Sequence, residues 1–398
     1  MSRRPPAGSP AILGGEVAFP EGLPLVRPWV PELDRLEPDL RRILESRHLT
    51  NGRYVRELER RAGEYVGVAS CVAVASCTAG LMLALGDLER PGEVILPSFT
   101  FVASAHAVAW NGLTPVFADV DRATLTLSPE AVGAAVTART RAVLATHVYG
   151  TPCDVEGLEA VAAEADVPLF FDAAHAFGSF HRGTPVGRSG RAEVFSMTPT
   201  KLLVAGEGGL VATGDARLAE RCRVGREYGN PGDYDTRFVG LNARMSEFHA
   251  ALALASLDTL DERVARRNTL AEHYRAALGE IPGLAFPSVP EGDRSTRKDF
   301  SVLVEEEAFG LEARCLARAL AAEGVETRRY YAPPVHRQQA YRQDVVLPVT
   351  EWAAARVLTL PLWEEMTEDH VSRVADAVLR IHATPGVVER CTDRAGTG

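Results

Sequence analysis

The sequence has 398 residues, of which 46% are hydrophobic and 24% are charged, and it contains no low-complexity tract. This composition is typical of a soluble globular protein with a large core, and the length favours two domains. The formal net charge of -10 disfavours sequence-independent binding to nucleic acid or to an acidic membrane surface, so any anionic ligand must be held by a local site.

The N-terminal segment does not resemble a targeting or membrane-spanning sequence. Arg3 and Arg4 are followed by proline and glycine rather than by a sustained apolar run, and no later segment is long and apolar enough to span a bilayer. We therefore expect a cytoplasmic protein with no membrane partner. Residues 1–30 lack periodicity and predict an N-terminal arm that becomes ordered only by lying on another part of the protein.

The six cysteines are scattered along the chain, without a CxxC pair or a histidine cluster at metal-ligand spacing. We expect them to be reduced and mostly buried, and we expect no metal site. They are Cys71, Cys77, Cys153, Cys222, Cys315 and Cys391.

Residues 31–262 predict a large α/β domain. After a helical start near Trp29, apolar segments alternate with helical ones; the apolar segments are CVAVAS, EVILPSF, TPVFADV, RAVLATHVYG and VPLFFDAA. Strands this apolar, joined by crossover helices, predict a mainly parallel sheet covered on both faces, in three α/β/α layers. Active sites in such sheets form at the carboxyl ends of the strands.

A long helical stretch from Ala243 to Ile281 connects this domain to a smaller one. Residues 263–385 mix strand and helix patterns and predict a C-terminal α+β domain, and residues 386–398 predict a disordered tail. No internal repeat is evident.

Lys201, in FSMTPTKLLVAGEGG, lies between small hydroxyl residues and a glycine-rich loop. A lysine amine can form a Schiff base, and its commonest cofactor use is to hold pyridoxal 5′-phosphate (PLP). Such a site needs an anion beside the pyridine nitrogen. Asp172 follows the very apolar strand PLFF and fits that requirement, although a helix cap is the alternative interpretation of this residue.

A phosphate cradle is the second requirement, and helix N-termini with hydroxyl groups provide one. In VAVASCTAGLMLAL a strand is followed by a turn and a helix, so the backbone amides of Thr78 and Ala79 and the Thr78 hydroxyl are candidates. Ser196 is the second hydroxyl candidate. An ordinary helix N-cap, with no bound phosphate, is the alternative interpretation of the same turn.

Phe101, just after the strand EVILPSF, is the candidate for a flat surface against the cofactor ring, and a core position is the alternative. Each part alone is a weak indication. The order of phosphate turn, aromatic residue, aspartate, serine and lysine is much more specific.

With these parts in place, the chain resembles the DegT/StrS family of PLP-dependent nucleotide-sugar aminotransferases, which have the aspartate aminotransferase fold (fold type I). The resemblance runs from Pro24 to the terminal helix. It rests on LTNGRYVRELE, ASCTAGLMLAL, LPSFTFVASAHAV, PVFADVD, FFDAAHAFGS, FSMTPTKLLVAGEGG, VGLNARMSEFHAAL and YYAPPVH.

The resemblance implies a role for each matching residue. Lys201 would form the Schiff base and move the reacting proton, Asp172 would pair with the pyridine nitrogen, and Phe101 would lie against the ring. The phosphate would be held by Thr78, Ala79 and Ser196. Asn242 would reach that phosphate from the neighbouring subunit, with Arg244 a further contributor, so the active sites of a homodimer would be shared.

Two positions differ from the usual family pattern. His175 stands where many members have glutamine beside the 3′-oxygen of the cofactor; its imidazole can make the same hydrogen bond, so we expect tuning rather than loss of activity. Cys77 stands in the phosphate turn where glycine is frequent. Relatives that replace the lysine with histidine become dehydratases, whereas Lys201 favours transamination.

The resemblance also places the substrate near the loop from Arg226 to Arg244 and the YAPPVH segment. Tyr228, Arg244, Tyr331 and His336 are the candidate substrate-binding residues, suited to a nucleoside diphosphate and its base. A solvated surface loop is the alternative for the first of these segments.

The implied reaction has two halves. L-glutamate would leave its amine on the cofactor as pyridoxamine phosphate, and a dTDP-linked 4-keto-6-deoxy sugar or related 4-keto pentose would then accept it. The product would be a 4-amino sugar for natural-product or antibiotic glycosylation. A 3-keto sugar nucleotide, a keto-cyclitol and a non-catalytic regulatory role on the same fold are the alternatives.

Overall fold

The computed structural model describes residues 8–387. Its helices are α1 Leu33–Ser46, α2 Arg53–Val66, α3 Cys77–Ala84, α4 Ala103–Trp110, α5 Pro129–Ala135, α6 Val155–Glu164, α7 Ala216–Gly225, α8 Glu247–Leu257, α9 Leu260–Leu278, α10 Glu306–Phe309, α11 Ala313–Ala322, α12 Pro348–Arg356 and α13 Glu368–Ala383. Its strands are β1 Ser70–Val74, β2 Glu93–Pro97, β3 Thr114–Ala118, β4 Thr140–Thr146, β5 Leu169–Asp172, β6 Phe180–His181, β7 Thr184–Pro185, β8 Ala192–Ser196, β9 Gly209–Thr213, β10 Leu284–Ala285, β11 Phe300–Val304 and β12 Val357–Leu360.

A seven-stranded sheet in the order β1-β9-β8-β5-β4-β2-β3 forms the centre of the molecule. The strands from β8 to β3 are parallel, and β9 is antiparallel to both of its neighbours. The predicted α/β class with a mainly parallel sheet is therefore confirmed. A loop without a helix joins β8 to β9, and such a direct return produces an antiparallel pair.

The sheet is covered on both faces because its strands carry apolar side chains in both directions. In β1, Cys71 and Ala73 pack with the α2 residue Leu58, whereas Val72 and Val74 pack on the other face with Leu81 of α3. Since β9 is antiparallel to β1 and β8, those two strands run in the same direction. Strands β1, β2, β4, β5 and β8 consequently end at one edge of the sheet, and polar residues follow them there.

A second sheet, β10-β11-β12, is antiparallel and lies with α9, α11 and α13 around a separate apolar core. Phe19 and Leu23 from the N-terminal segment belong to that core, and their backbone N–H groups donate to Glu323 O and Gly324 O. The predicted boundary between residues 262 and 263 falls inside α9. Most of the predicted disordered tail, residues 388–398, lies outside the described residues.

Cys71, Cys77, Cys153 and Cys222 are free and buried. Cys315 is disulfide-bonded, so the expectation that all six cysteines are reduced is wrong at that position; scattered spacing in the sequence did not indicate it. Cys391 lies outside the described residues. From residue 8 to residue 387, no helix is long and apolar enough to cross a membrane, and no group of His, Cys, Asp and Glu could hold a metal ion.

Candidate active site

A cavity of about 350 Å³ opens at the edge of the large sheet where the parallel strands end. The loops after β1, β2, β5 and β8 form most of its wall, and residues from the C-terminal part of the chain complete it. Its lining residues are Ser76, Cys77, Thr78, Thr100, Phe101, Ala103, Thr146, Asp172, Ala174, His175, Ser196, Thr198, Thr200, Lys201, Glu207, Lys298, Asp299, Tyr330 and Tyr331.

Lys201 lies in the loop between β8 and β9, where its backbone N–H donates to Thr198 O at 3.0 Å. Burial and then the positive charge of Lys298 lower the pKa of its amine to about 8, although the carboxylate of Asp299 acts in the opposite direction. An amine with this pKa is neutral in a substantial fraction of molecules near neutral pH. Lys201 is therefore suited to nucleophilic attack on an aldehyde.

The glycines that follow Lys201 are needed for close packing. A Cβ on Gly209, the first residue of β9, would lie 2.6 Å from Cys77 N and from Ser76 C. A side chain there would push β9 away from the turn after β1. The glycine-rich loop therefore brings the lysine loop and that turn to the same cavity.

Asp172 ends β5 and is only 4% exposed. Its Oδ2 accepts a 2.6 Å hydrogen bond from Ser104 Oγ, and its Oδ1 accepts one from Ala174 N–H at 3.1 Å. Burial raises the pKa of this carboxyl, and no Lys or Arg side chain among residues 8–387 forms an ion pair with it. A buried carboxylate facing a cavity without a cationic partner fits a protonated pyridine nitrogen.

The turn after β1 is built as an N-cap. Ser76 caps α3, and its Oγ accepts a hydrogen bond from Ala79 N–H at 3.1 Å. The Ala79 amide is thus already bonded within the turn, and Ala79 does not line the cavity. Cys77 and Thr78 do line it, opposite Ser196 from the end of β8. The turn is therefore an N-cap through Ser76, and a phosphate cradle at Cys77 and Thr78 stays a prediction.

Phe101 is 59% exposed and lies at the cavity rather than in the core, so the alternative of a core position does not hold. Its ring is a free flat surface beside the carboxylate and the lysine. A planar aromatic ligand could stack on it.

His175 is buried at the cavity wall, and its Nδ1 accepts a hydrogen bond from Tyr149 N–H at 3.1 Å. Burial, followed by the charges of Lys201 and Lys298, lowers the pKa of the imidazole well below its usual value. The ring is therefore neutral, and because Nδ1 is an acceptor, Nε2 carries the proton. His175 can donate a hydrogen bond to an oxygen in the cavity.

Of the candidate substrate-binding residues, only Tyr331 lines the cavity. His336 is buried elsewhere: its backbone N–H and its Nδ1 both bond Ser98 Oγ, and its Nε2 lies 3.2 Å from Glu351 Oε1. Arg244 pairs with Glu227 at 2.9 Å and lies over the ring of Tyr228. These three side chains do not reach the cavity of their own chain.

Asn242 also lies outside the cavity of its own chain. It is exposed and forms an isolated backbone bridge with Glu227. A role at the phosphate would therefore require a second subunit.

Several residues in or beside the cavity were missed by sequence reasoning. Ser104 is in α4, where nothing distinguishes it from a helix-surface serine, and Lys298 and Asp299 precede a strand far from the lysine loop. The one indication was a charged pair directly before the apolar strand FSVLV. Thr100, Thr146, Thr198, Thr200, Glu207 and Tyr330 were likewise not singled out.

Comparison with known proteins gives consistent matches. The model of the DegT/DnrJ/EryC1/StrS aminotransferase family matches residues 33–379. The crystal structure of DesI in the presence of its TDP-sugar product is 41% identical, with a TM-score of 0.89 over 94% of this chain and 96% of DesI. S. venezuelae DesV in complex with a ketimine intermediate is 34% identical, with a TM-score of 0.83 over 90% of this chain and all (100%) of DesV. The aminotransferase TlmJ from Streptoalloteichus hindustanus is 32% identical, with a TM-score of 0.83 over 89% of this chain and 97% of TlmJ.

Proposed function

Because the chain belongs to the DegT/DnrJ/EryC1/StrS aminotransferase family and is a PLP-dependent aminotransferase, we propose that it transfers an amino group from L-glutamate to a dTDP-linked 4-keto-6-deoxy sugar or related 4-keto pentose. The observation that carries this proposal is the 41% identity to DesI, which was crystallised with its TDP-sugar product. The cavity with Lys201 and Asp172 supplies the groups that such a reaction needs.

Four cavity residues have a proposed task at the ring of the cofactor. When bound, PLP supplies a protonated pyridine ring that withdraws electrons from the carbon bearing the amine. Asp172 keeps the pyridine nitrogen protonated, and Lys201 first holds the cofactor and then, as a free amine, moves the proton at that carbon. Phe101 lies against the ring, and His175 donates from Nε2 to the 3′-oxygen.

The phosphate is the second anchor of the cofactor in this proposal. The hydroxyls of Thr78 and Ser196 bind it, together with the start of α3 at Cys77. The Ala79 amide contributes through Ser76 rather than directly, because its hydrogen bond goes to Ser76 Oγ.

We further propose a homodimer in which Asn242 of each subunit reaches the phosphate of the other subunit's site. Asn242 and Tyr228 are exposed and Arg244 is partly buried; all three lie away from the cavity of their own chain, which supports this arrangement. Tyr228 and Arg244 would then face the nucleotide across the interface, with Tyr331 inside the cavity. His336 would act only by positioning the segment that carries Tyr331, because it is buried against Ser98.

The cellular context is also a proposal. We place the enzyme in the cytoplasm, where a 4-amino sugar nucleotide would be made for the glycosylation of a natural product such as an antibiotic.

The test converts the purified protein to its pyridoxamine form with L-glutamate, removes the donor, and follows the return of the PLP absorbance with single keto substrates. Return with a dTDP-4-keto-6-deoxy sugar, and not with a 3-keto isomer or a keto-inositol, is the expected result. Return with only the 3-keto isomer or only the keto-inositol would overturn the proposed acceptor. Failure of glutamate to change the spectrum would overturn the donor, and no response to any donor or acceptor would favour a non-catalytic protein.

A further inference from the structure

Asp299 and Lys298 form a buried ion pair at the wall of the active-site cavity. Lys298 Nζ lies 2.8 Å from Asp299 Oδ1, and the two residues are 4% and 6% exposed. The second carboxylate oxygen of the aspartate, Oδ2, is buried and accepts no hydrogen bond from any residue between 8 and 387. Asp299 lines the cavity, so one residue of the cavity wall carries an oxygen that lacks a donor.

An unsatisfied oxygen of this kind is uncommon. Buried polar atoms in proteins nearly always have a partner, and a missing partner costs most for a charged group. Of the eleven buried side-chain atoms without a partner found among residues 8–387, only Asp299 Oδ2 belongs to a residue that lines the cavity. Asp299 Oδ2 therefore indicates a ligand with a hydrogen-bond donor.

Backbone hydrogen bonds hold Lys298, the residue before Asp299, in place. Lys298 N–H donates to Tyr149 O at 3.1 Å, and Lys298 O accepts from Arg267 Nη1 at 2.9 Å. Arg267 is itself buried and pairs with Glu364 at 3.1 Å. These contacts and the ion pair at Oδ1 together position the Asp299 carboxylate before any ligand arrives.

We propose that Asp299 Oδ2 accepts a hydrogen bond from a ring hydroxyl of the keto sugar, an inference that rests on the proposed function. The other reactants do not suit this atom. The phosphate of the cofactor and the carboxylates of glutamate are anions, which a carboxylate repels, and the glutamate amine is used in the bond to the cofactor. A keto-sugar ring, in contrast, offers neutral hydroxyl donors.

Asp299 therefore distinguishes the two halves of the reaction. It takes part in the half-reaction in which the sugar is bound, and it has no attractive contact with glutamate. Lys298 acts as a positioning residue, because its ammonium group holds Oδ1 and leaves Oδ2 toward the ligand.

The test is Asp299→Asn, with each half-reaction followed separately by cofactor absorbance. The Lys298 ammonium needs an acceptor, so the amide oxygen turns to it and the amide NH₂ takes the place of Oδ2. A hydrogen-bond acceptor thus becomes a donor facing the sugar. We expect kcat/KM for dTDP-4-keto-6-deoxyglucose to fall by about 10- to 100-fold. Because the Asp299 carboxylate also raises the pKa of Lys201, each half-reaction is compared at its own pH optimum, where the glutamate half-reaction should fall much less than the sugar half-reaction.

Sugar analogues that lack the hydroxyl at C2 or at C3 identify the contact. With the wild type, removal of the contacted hydroxyl should weaken the reaction by about the same 10- to 100-fold, and Asp299→Asn should abolish that discrimination. Ser301→Ala is the matched control. Ser301 is buried two residues further along, bonds Thr359 Oγ1 at 2.8 Å and does not line the cavity, so both half-reactions should be unchanged.

The outcomes separate the two proposals. If no dTDP-linked keto sugar reacts with the wild type, the proposed function fails and this inference with it. If the wild type reacts but neither deoxy analogue is discriminated, or if Asp299→Asn retains full discrimination, only the role of Asp299 is overturned. If Asp299→Asn does not fold, the reactions of the wild type with the two deoxy sugar analogues decide between these outcomes.

Discussion

Ser104 Oγ in α4 donates a 2.6 Å hydrogen bond to Oδ2 of Asp172 at the end of β5. Burial raises the pKa of Asp172, and this bond opposes the rise because it stabilises the carboxylate. Ser104→Ala should therefore raise the pKa further and weaken the pairing with a protonated pyridine. We expect the Kd of PLP, measured by absorbance titration of the apoprotein, to increase about tenfold.

The effect of Ser104→Ala should grow as the pH falls, because the pairing is lost when Asp172 becomes protonated and the variant reaches that point at a higher pH. Ser128→Ala is the control, since Ser128 Oγ accepts only from Ala131 N–H at the start of α5. That change should lower stability and leave the Kd of PLP unchanged. Equal affinities of wild type and Ser104→Ala at every pH would contradict the prediction.

The lowered pKa of Lys201 predicts how the apoprotein takes up PLP. Only the neutral amine attacks the cofactor aldehyde, so the rate should rise with pH and level off above about 8. Stopped-flow absorbance from about pH 6 to about pH 10 measures this profile. Because Lys298 is the charge that most lowers this pKa, Lys298→Met should move the profile to higher pH. A wild-type rate that continues to rise to about pH 10 would show that Lys201 has the pKa of an ordinary lysine.

The neutral, Nε2-protonated state of His175 predicts an order of activity for its variants. A glutamine amide can donate the same hydrogen bond into the cavity, whereas leucine cannot. We expect His175→Gln to keep kcat/KM within about tenfold of wild type and His175→Leu to fall by a further factor of about 10 to 100. Equal activity of the two variants in steady-state assays would argue against a donated hydrogen bond.

The strand and helix pattern of the sequence was sufficient to predict the sheet, and the family resemblance added His175 to the candidate site residues. Parallel strands that end at one edge bring the residues after them together, whatever their separation in the chain. For this reason Thr78, Phe101, Asp172, His175, Ser196 and Lys201 could be expected at one place, and all six line the cavity.

Features that depend on packing between distant segments were not predictable in this way. Lys298 and Asp299 reach the cavity because Arg267 and Tyr149 hold their backbone, and no local pattern encodes those contacts. His336, in contrast, was predicted from the sequence but does not reach the cavity. It belongs to a motif that borders the substrate in the family, yet its side chain is enclosed against Ser98 and Phe117.

Glu247, at the start of α8, is 2% exposed and accepts three backbone hydrogen bonds of 2.9 Å from Gly52, Tyr54 and Val55. It thereby satisfies N–H groups at the start of α2. Glu247→Gln replaces one accepting oxygen with an NH₂ group that faces donors, which should lower stability by about 1.5–3 kcal/mol. Thermal unfolding of the cofactor-free protein measures the change.

Glu57→Gln on the same helix is the control for Glu247→Gln. Glu57 is a surface residue that pairs with Arg60, so its loss should barely change the unfolding temperature. Similar shifts for both variants would show that charge, rather than the capping of α2, determines the effect.

The position of Asn242 predicts complementation between subunits. Asn242→Asp places a carboxylate against the phosphate of the neighbouring subunit's cofactor, so it should abolish activity, as should Lys201→Ala. In a hybrid dimer one site then combines an intact Lys201 with an intact Asn242, and the other site has neither. Random pairing of equal amounts should restore about a quarter of wild-type activity, since half of the dimers are hybrids with one working site. Differently tagged subunits confirm the exchange, and exchange without any recovered activity would show that Asn242 and Lys201 of one chain act in the same site.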